Sequence, residues 1–322
     1  MELDLAGRRV LVEGASAAAL ISRLLAAGAQ VSVADVSSTS VRDLVERGLV
    51  SEDTTGPFAA VLAADAWSDT APPADSDDEY AGTVTLVGGG PGDPGLLTIA
   101  GIHAIQRADV VVYDRLAPLA SLDEAPAGAE LIDVGKIPRG EFTPQERINA
   151  LLVSHAREGK HVVRLKGGDS FVFGRGGEEC QACAEAGVAV RVIPGVSSSI
   201  AVPELAGIPV THRTASQGFT VVSGHVPPGD PRGTVEWASL ARAGVTLVVL
   251  MGVANLEAIC ETLIDAGLAA DTPAAIVVDG GLASQQVVRA DVSTLAKAAA
   301  DEGVRSPAVT VIGAVAGLDL HR

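Results

Sequence analysis

The sequence contains few of the residues that build disulfide scaffolds, zinc sites and aromatic-rich surfaces. Only three cysteines occur in 322 residues, and aromatic side chains make up 3% of the chain. Cys180 and Cys183 form a C-x-x-C pair, but the pair falls in a helical pattern and no second pair completes a zinc site. We therefore predict that the chain has no metal site and that Cys260 is a small core residue of a helix.

Long apolar runs and a basic surplus are also missing. The sequence has no uncharged apolar stretch of about 18 residues, the length that would span a bilayer. Its first residues, Met1 to Asp4, lack the basic start and apolar segment of a signal peptide. The formal net charge of -17 argues against a nucleic-acid partner, because phosphate binding requires a basic surface. These features predict a cytoplasmic protein that binds neither membranes nor nucleic acid.

One segment reverses the acidic balance. Residues 134 to 176 carry eight basic side chains against four acidic ones. A local basic surface suits an anionic small molecule. Basic residues scattered over solvated faces explain the count equally well.

Residues 1 to 66 predict a partial Rossmann-like βαβ domain. The pattern indicates strands at 8–14, 30–34 and 58–63 and helices at 17–27 and 39–47. Asp35 ends the second strand, where a dinucleotide fold would hold a ribose, but the first loop has only Gly14 where G-x-G-x-x-G needs three glycines. NAD binding is therefore not favoured. Residues 67–81, rich in Pro, Ser and Asp, predict an acidic linker.

A second domain is predicted at 82–320, and from residue 83 to residue 193 its strands and helices alternate, which is typical of a largely parallel sheet. Predicted strands are 83–87, 109–113, 161–165 and 188–193, then 219–223, 245–250, 274–278, 286–289 and 308–312; predicted helices include 96–107, 144–158, 177–186 and 197–206. We predict an α/β fold of two subdomains, about 82–195 and 210–317. A cleft between two such halves is a common ligand site.

The most informative segment is 162–179, where a β-branched strand runs into a Gly-Gly-Asp loop and then a second glycine-rich helix entry. Gly167 and Gly168 let the backbone approach a ligand at the end of the strand, and Asp169 offers a carboxylate to its hydroxyls or amines. A second glycine- and proline-rich turn, 88–95, matches neither the dinucleotide motif nor the P-loop. This density of glycine and charge indicates a ligand site.

Charged residues follow other strands. Asp114 ends a predicted strand, where open α/β sheets meet their ligands, and Lys136 follows another short strand. A helix cap or a surface turn explains Asp114 equally well, and a solvated surface charge explains Lys136 equally well. The sequence has no G-x-S-x-G, no cysteine beside a plausible base and no H-E-x-x-H. Any chemistry is therefore expected between two bound small molecules.

Taken together, the motifs resemble the uroporphyrinogen-III C-methyltransferases, a branch of the tetrapyrrole methylase family, from about residue 82 to 317. The resemblance is carried by Gly88-Gly-Gly-Pro-Gly-Asp-Pro94, Asp109-Val-Val-Val-Tyr-Asp-Arg-Leu116, Val134-Gly-Lys136, Pro144-Gln-Glu146, Val162-Val-Arg-Leu-Lys-Gly-Gly-Asp169, Phe173-Gly-Arg-Gly-Gly-Glu-Glu179, Gly207-Ile-Pro-Val-Thr-His-Arg213 and Met251-Gly252. Residues 1–66 resemble a shortened dehydrogenase and ferrochelatase domain of sirohaem synthases. Most of that domain is absent, so precorrin-2 oxidation and iron insertion are not expected.

The resemblance implies S-adenosyl-L-methionine as methyl donor, leaving as S-adenosyl-L-homocysteine, and uroporphyrinogen III as acceptor. Two methylations on carbon would give precorrin-2 by way of precorrin-1, for sirohaem or cobalamin biosynthesis, in a homodimer. Carried onto this sequence, Asp114 would be the proton acceptor and Lys136 the proton donor. The donor site would consist of Pro91, Gly167, Gly168, Asp169, Val172, Ser197, Ser198, Met251 and Gly280, and the substrate-binding candidates are Arg115, Arg139 and Arg213.

The sequence departs from the family pattern at Ser170, where proline is usual, at Ser197-Ser198, at Pro203-Glu204 and at Asp279-Gly280-Gly281. These departures concern donor affinity or acceptor handling rather than the fold. Three other functions stay open: a related methylase acting on a later corrin intermediate, a bifunctional NAD-dependent enzyme, and a non-catalytic tetrapyrrole-binding protein.

Overall fold

The structure of the chain is a computed structural model. It describes residues 6–14, 20–21, 24–25, 28–37, 39–55, 57–63, 80–135, 143–318 and 320. The chain divides into two compact units, residues 1–77 and 78–322. Of the predicted linker 67–81, all but the last two residues lie outside the described ranges.

The first unit contains a small parallel sheet. Its strands are β1 (Arg9–Glu13), β2 (Gln30–Val33) and β3 (Ala60–Ala63), in the order β2-β1-β3, and its helix α1 is Thr39–Glu46. A parallel bridge between Ser32 and Ser51 adds a further chain segment beside β2. This order, with β1 between β2 and β3, is that of a partial Rossmann-like sheet, as predicted.

The first sheet of the second unit is entirely parallel. It consists of β4 (Thr83–Gly88), β5 (Val110–Tyr113), β6 (Glu130–Asp133), β7 (Val162–Lys166) and β8 (Ala189–Ile193), in the order β6-β5-β7-β4-β8. Helices α2 (Ile99–Ile105), α3 (Gln145–Arg157) and α4 (Gly176–Glu185) pack on it. Every residue of β4 and β7 is buried, because helices cover both faces of the sheet.

Two apolar clusters fill the faces of this sheet. On one face, Val84, Val112 and Val162 pack against Leu152 of α3 and Cys183 of α4. On the other, residues such as Val111 and Val163 pack against Ile105 of α2. The alternation of the two sets along each strand is the pleat of a sheet buried on both sides.

The second sheet is mixed. It consists of β9 (Phe219–Ser223), β10 (Thr246–Leu250), β11 (Pro273–Val278), β12 (Gln286–Asp291) and β13 (Ala308–Ile312), in the order β12-β11-β13-β10-β9. Only β9 and β10 pair in parallel. The accompanying helices are α5 (Ser198–Leu205), α6 (Trp237–Ala241), α7 (Leu256–Asp265) and α8 (Leu295–Asp301). The predicted fold of two α/β subdomains is confirmed.

The prediction that Cys260 is a small core residue of a helix is confirmed. Cys260 lies in α7 and Cys183 in α4, and both side chains are buried. Burial raises the pKa of each thiol to about 11, so both stay protonated at neutral pH. In the described part of the chain no group of His, Cys, Asp and Glu side chains is arranged to hold a metal ion. Within the same ranges, none of the helices combines the length and apolar character needed to cross a bilayer.

Candidate active site

The parallel sheet brings its glycine-rich loops to one edge, since parallel strands all end on the same side. Three of these loops cross at backbone contact distance. A Cβ atom on Gly195 would lie 2.4 Å from the carbonyl oxygens of both Gly88 and Gly168. Gly90 and Gly168 exchange two backbone hydrogen bonds, of 3.1 and 2.6 Å. The glycines are therefore required because the loops after β4, β7 and β8 leave no room for side chains.

Asp169 holds this crossing together. Its Oδ2 accepts a hydrogen bond from the Gly195 N–H at 3.1 Å, and its Oδ1 accepts one from the Phe171 N–H at 2.9 Å. Each carboxylate oxygen keeps a second lone pair that can face a ligand. The residue proposed from the sequence as a donor contact thus also has a structural role.

The start of α5 lies against the same loop. Ser197 is the N-cap of α5, and its Oγ accepts a hydrogen bond from the Ser199 N–H at 3.3 Å. A Cβ on Gly168, whose φ is +64°, would lie 3.1 Å from Ser198 Oγ. The first N–H groups of a helix have no partner within the helix and can bind an anionic group. Four of the residues predicted to bind the methyl donor therefore lie together: Gly168, Asp169, Ser197 and Ser198.

The second subdomain meets this edge through the turn after β11. A Cβ on Gly280 would lie 2.5 Å from Val202 Cγ1 of α5, and one on Gly281 would lie 3.4 Å from Pro91 Cγ. Likewise a Cβ on Gly92 would lie 3.0 Å from Leu282 Cδ2. Pro91 and Gly280, far apart in sequence, are thus neighbours in the cleft between the two sheets.

A cavity of about 500 Å³ extends the cleft. Its lining residues are Phe171, Phe173, Arg175, Gly176, Gly177, Glu178 and Met251. Phe171 is 58% exposed and Met251 46% exposed, so apolar surface faces the cavity. Val172, another predicted donor contact, is exposed on the same segment.

Backbone strain is concentrated around this cleft. Within the described ranges, the non-glycine residues with positive φ are Phe173, Arg175, Met251 and Asp279. All four lie in the segments that border the cleft. Such conformations cost about 1–3 kcal/mol each and cluster at ligand sites, where the surrounding structure imposes them.

Asp114 follows β5 at the same edge and forms an ion pair with Arg164 of β7. Its Oδ2 accepts from Arg164 Nη2 at 3.2 Å, and its Oδ1 accepts from the Leu116 N–H at 3.0 Å. The Asp114 side chain is 27% exposed, whereas that of Arg164 is 3% exposed. The carboxylate is thus held from the protein side and keeps one face toward solvent.

Behind Asp114 lies a set of buried charges that sequence reasoning missed. Arg164 Nε donates to Glu179 Oε1 at 3.0 Å, and Lys166 Nζ donates to the same oxygen at 3.2 Å. Burial, together with the Arg164 charge, lowers the pKa of Lys166. The available signal was the placement of two cations at alternate positions of a strand that is otherwise apolar.

The structure does not bring all predicted residues together. Arg115 is exposed and follows Asp114 directly in the loop after β5. A Cβ on Gly135 would lie 2.7 Å from the backbone N of Arg115, so the loops after β5 and β6 are adjacent. Lys136 and Arg139 lie outside the described residues. Arg213 lines a separate cavity with residues 214–218 and 244–245, at the end of the second sheet where β9 and β10 begin. Met251 lies at the opposite end, where β10 ends, so Arg213 is not part of the cleft.

The basic excess counted in 134–176 is only partly a basic surface. Two of its cations, Arg164 and Lys166, are buried in ion pairs, and Arg175 and Lys160 pair with Glu178 and Glu158. Acidic side chains therefore neutralise most of the basic side chains of this segment that the structure describes. The sequence count could not distinguish buried from exposed charges.

This architecture defines an α/β protein of two subdomains with a ligand cleft at the carboxyl edge of a parallel sheet. Comparison with known families specifies the class: residues 83–296 match the family model described as tetrapyrrole (corrin/porphyrin) methylases. The chain belongs to the tetrapyrrole methylase family.

Individual relatives agree with this assignment. The chain is 46% identical to the S-adenosyl-L-methionine-dependent uroporphyrinogen III methyltransferase of Methanosarcina barkeri over 237 aligned residues. The alignment covers 74% of this chain and 93% of that protein. It is 46% identical over 237 residues to the siroheme synthase of Thiobacillus denitrificans, covering 74% of this chain but only 49% of that protein's length. A solved uroporphyrin-III C-methyltransferase of Thermus thermophilus, complexed with S-adenosyl homocysteine, is 40% identical with a TM-score of 0.61, covering 72% of this chain and 98% of that one. The resemblance inferred from the motifs is confirmed.

Proposed function

We propose that this protein transfers two methyl groups from S-adenosyl-L-methionine to ring carbons of uroporphyrinogen III, giving precorrin-2 by way of precorrin-1. The observation that carries the proposal is that Asp114 follows β5 at the same sheet edge as the Gly167–Asp169 loop, beside a cleft bordered by Met251 and Gly280. Relatives named as uroporphyrinogen-III methyltransferases, 46% and 44% identical, support the choice of acceptor.

The residues of the cleft fit S-adenosyl-L-methionine, which supplies a methyl group activated by its sulfonium. The start of α5 at Ser197 and Ser198 offers N–H groups to a carboxylate, and Asp169 offers a carboxylate to an ammonium or hydroxyl group. Met251 and Pro91 offer apolar surface. We assign the donor site to these residues with Gly167, Gly168, Val172 and Gly280.

The protein's part in methyl transfer is then positioning and proton transfer. A pyrrole carbon is itself the nucleophile, so holding it in line with the methyl group supplies much of the rate enhancement. Asp114 takes the proton that the alkylated ring loses. Its ion pair with Arg164 keeps the carboxylate oriented for this step. Lys136 is the proposed proton donor.

The cavity supplies a contact for the carboxylate-rich acceptor. Arg175 and Glu178 are its charged lining residues, and Arg175 donates two hydrogen bonds to the Glu178 carboxylate, of 2.8 and 2.6 Å. Each side chain is 53% exposed, so a ligand carboxylate can reach the guanidinium and compete with Glu178 for it. We assign Arg175 to acceptor binding together with Arg115 and Arg139, whereas the position of Arg213 gives that residue no support.

Replacing Arg175 by Gln is expected to raise KM for uroporphyrinogen III roughly tenfold or more, because a charge-assisted hydrogen bond contributes about 1.5–3 kcal/mol. The affinity for S-adenosyl-L-methionine should be unchanged. Steady-state kinetics and calorimetry measure the two quantities. Arg232→Gln is the matched control, since Arg232 also pairs with a neighbouring acid, Asp230, at 2.7 Å but lies outside the cleft. Equal KM values for the two variants would remove Arg175 from the acceptor site.

The remaining parts of the proposal concern the whole chain. We assign residues 82–320 to the methyltransferase and residues 1–66 to a partial Rossmann-like domain. We also propose a cytoplasmic homodimer whose product serves sirohaem or cobalamin formation.

The deciding experiment is anaerobic incubation of the purified protein with uroporphyrinogen III and S-adenosyl-L-methionine, followed by absorbance and product mass. A gain of two methyl groups is the expected result. Failure to methylate, with S-adenosyl-L-methionine binding intact, would contradict the acceptor assignment. Methylation of a later corrin intermediate instead would identify a different member of the family.

A further inference from the structure

Three charged side chains are buried beneath Asp114, between β7 and α4, and we call them the buried charge cluster: Arg164, Lys166 and Glu179. Their side chains are 3%, 5% and 0% exposed. Burying charges is costly unless they are paired and hydrogen-bonded, so such a cluster is a poor way to gain stability. Of the three residues, only Arg164 has a part in the chemistry described above, through its ion pair with Asp114.

The hydrogen bonds of Glu179 are asymmetric. Its Oε1 accepts from Arg164 Nε at 3.0 Å, from Lys166 Nζ at 3.2 Å and from Gln145 Nε2 at 3.3 Å. Its Oε2 is also buried and has no partner among the described residues. All three donors therefore converge on the oxygen that faces Arg164, and the carboxylate acts as a fixed acceptor at that point.

Arg164 transmits this constraint to Asp114. Its Nε is held by Glu179, and its Nη1 donates to the carbonyl oxygens of Leu165 at 3.0 Å and Val112 at 3.4 Å. The guanidinium is planar and rigid, so fixing Nε and Nη1 also fixes the direction of Nη2. Nη2 is the atom that donates to Asp114 Oδ2 at 3.2 Å.

We propose that Glu179 is a positioning residue for methyl transfer: it anchors the Arg164 guanidinium, and Arg164 in turn orients the Asp114 carboxylate toward the bound acceptor. Lys166 balances the charge, so that two cations face the two carboxylates of Glu179 and Asp114. The lowered pKa of Lys166 agrees with its place in this desolvated set. The inference rests on the proposed role of Asp114 in methylating uroporphyrinogen III.

Two double variants with the same net charge separate anchoring from charge balance. Lys166→Met with Glu179→Gln removes one charge of each sign but leaves an amide oxygen that can accept from Arg164 Nε. Lys166→Met with Glu179→Leu removes the same charges and also that acceptor. We expect the Leu double variant to have a kcat on the order of 100-fold below that of the Gln double variant, the scale of a 1 Å misplacement. KM and S-adenosyl-L-methionine affinity should be the same in both.

A purely structural role for Glu179 predicts a different outcome, in which the two double variants differ in melting temperature but share one kcat per folded molecule. That result would overturn the inference. Glu185→Gln, an exposed acid on the same helix, is the control and should behave as wild type. If the Leu variant does not fold, Arg164→Lys decides: lysine keeps the charge but cannot bridge Glu179 and Asp114, so an undiminished kcat would likewise overturn the inference.

A readout without turnover separates this inference from the proposed function. In protein labelled with 15N-arginine, the Arg164 Nε–H signal should be protected from exchange in the wild type and in the Gln double variant, and lost in the Leu double variant. If the wild type methylates no uroporphyrinogen III, the proposed function fails, while this signal still tests the anchor. A signal equally protected in both double variants would show that Glu179 does not hold Arg164.

Discussion

Asp114→Asn is expected to lower kcat for methyl transfer roughly 10²- to 10⁴-fold, the usual contribution of a general base. The amide has nearly the shape of the carboxylate but cannot take a proton. Asp114 accepts two hydrogen bonds, one on each carboxylate oxygen: from the Arg164 guanidinium and from the Leu116 N–H. Asparagine has one acceptor oxygen, so it can satisfy only one of them, and the free energy of unfolding should fall by about 0.5–1.5 kcal/mol.

Single-turnover kinetics under anaerobic conditions, with S-adenosyl-L-methionine affinity from calorimetry, measure this effect. The affinity should be unchanged, because Asp114 belongs to the loop after β5, whereas the proposed donor residues lie in the loops after β4, β7, β8, β10 and β11. Asp123→Asn is a suitable control, since Asp123 is an exposed acid of the same subdomain. A wild-type kcat for Asp114→Asn would mean that the proton is taken by another group.

Much of the fold could be predicted because its determinants are local. Buried parallel strands appear in the sequence as short runs of Val, Ile and Leu, and β4, β7 and β9 lie within one residue of their predicted bounds. The direction of strands in the second sheet was not predicted. Alternating strands and helices do not distinguish a parallel from a mixed sheet when hairpins such as β11–β12 are joined by a short turn.

The site was predicted less completely, for a physical reason. The glycine loops are visible in the sequence because their backbone conformations require glycine, and Asp114 is visible because it ends a strand. In the structure Asp114 closes a turn with Leu116, which is one of the interpretations considered from the sequence, and it also forms an ion pair with Arg164. Its role as proton acceptor stays a prediction. Glu179 could not be identified, because its partner Arg164 is 15 residues away and their contact depends on how α4 packs on β7.

Gly195→Ala is expected to disrupt the donor site although it adds a single methyl group. The new Cβ would lie 2.4 Å from the carbonyl oxygens of Gly88 and Gly168. Both obstacles are backbone atoms, which cannot rotate away as a side chain can. The loops after β4, β7 and β8 would have to separate, and we expect the free energy of unfolding to fall by about 1–3 kcal/mol.

The affinity for S-adenosyl-L-methionine should also fall, tenfold or more, which corresponds to about 1.4 kcal/mol or above. Separation of the loops would stretch the 3.1 Å bond from the Gly195 N–H to Asp169 and displace the start of α5, only two residues further on. Gly128→Ala is the matched control, because a Cβ there meets nothing within 4 Å and the residue lies in a surface turn. Calorimetry and thermal unfolding of the two variants test the argument. If Gly195→Ala binds the donor as tightly as Gly128→Ala does, the crossing of the three loops does not shape the donor site, and the glycines serve packing alone.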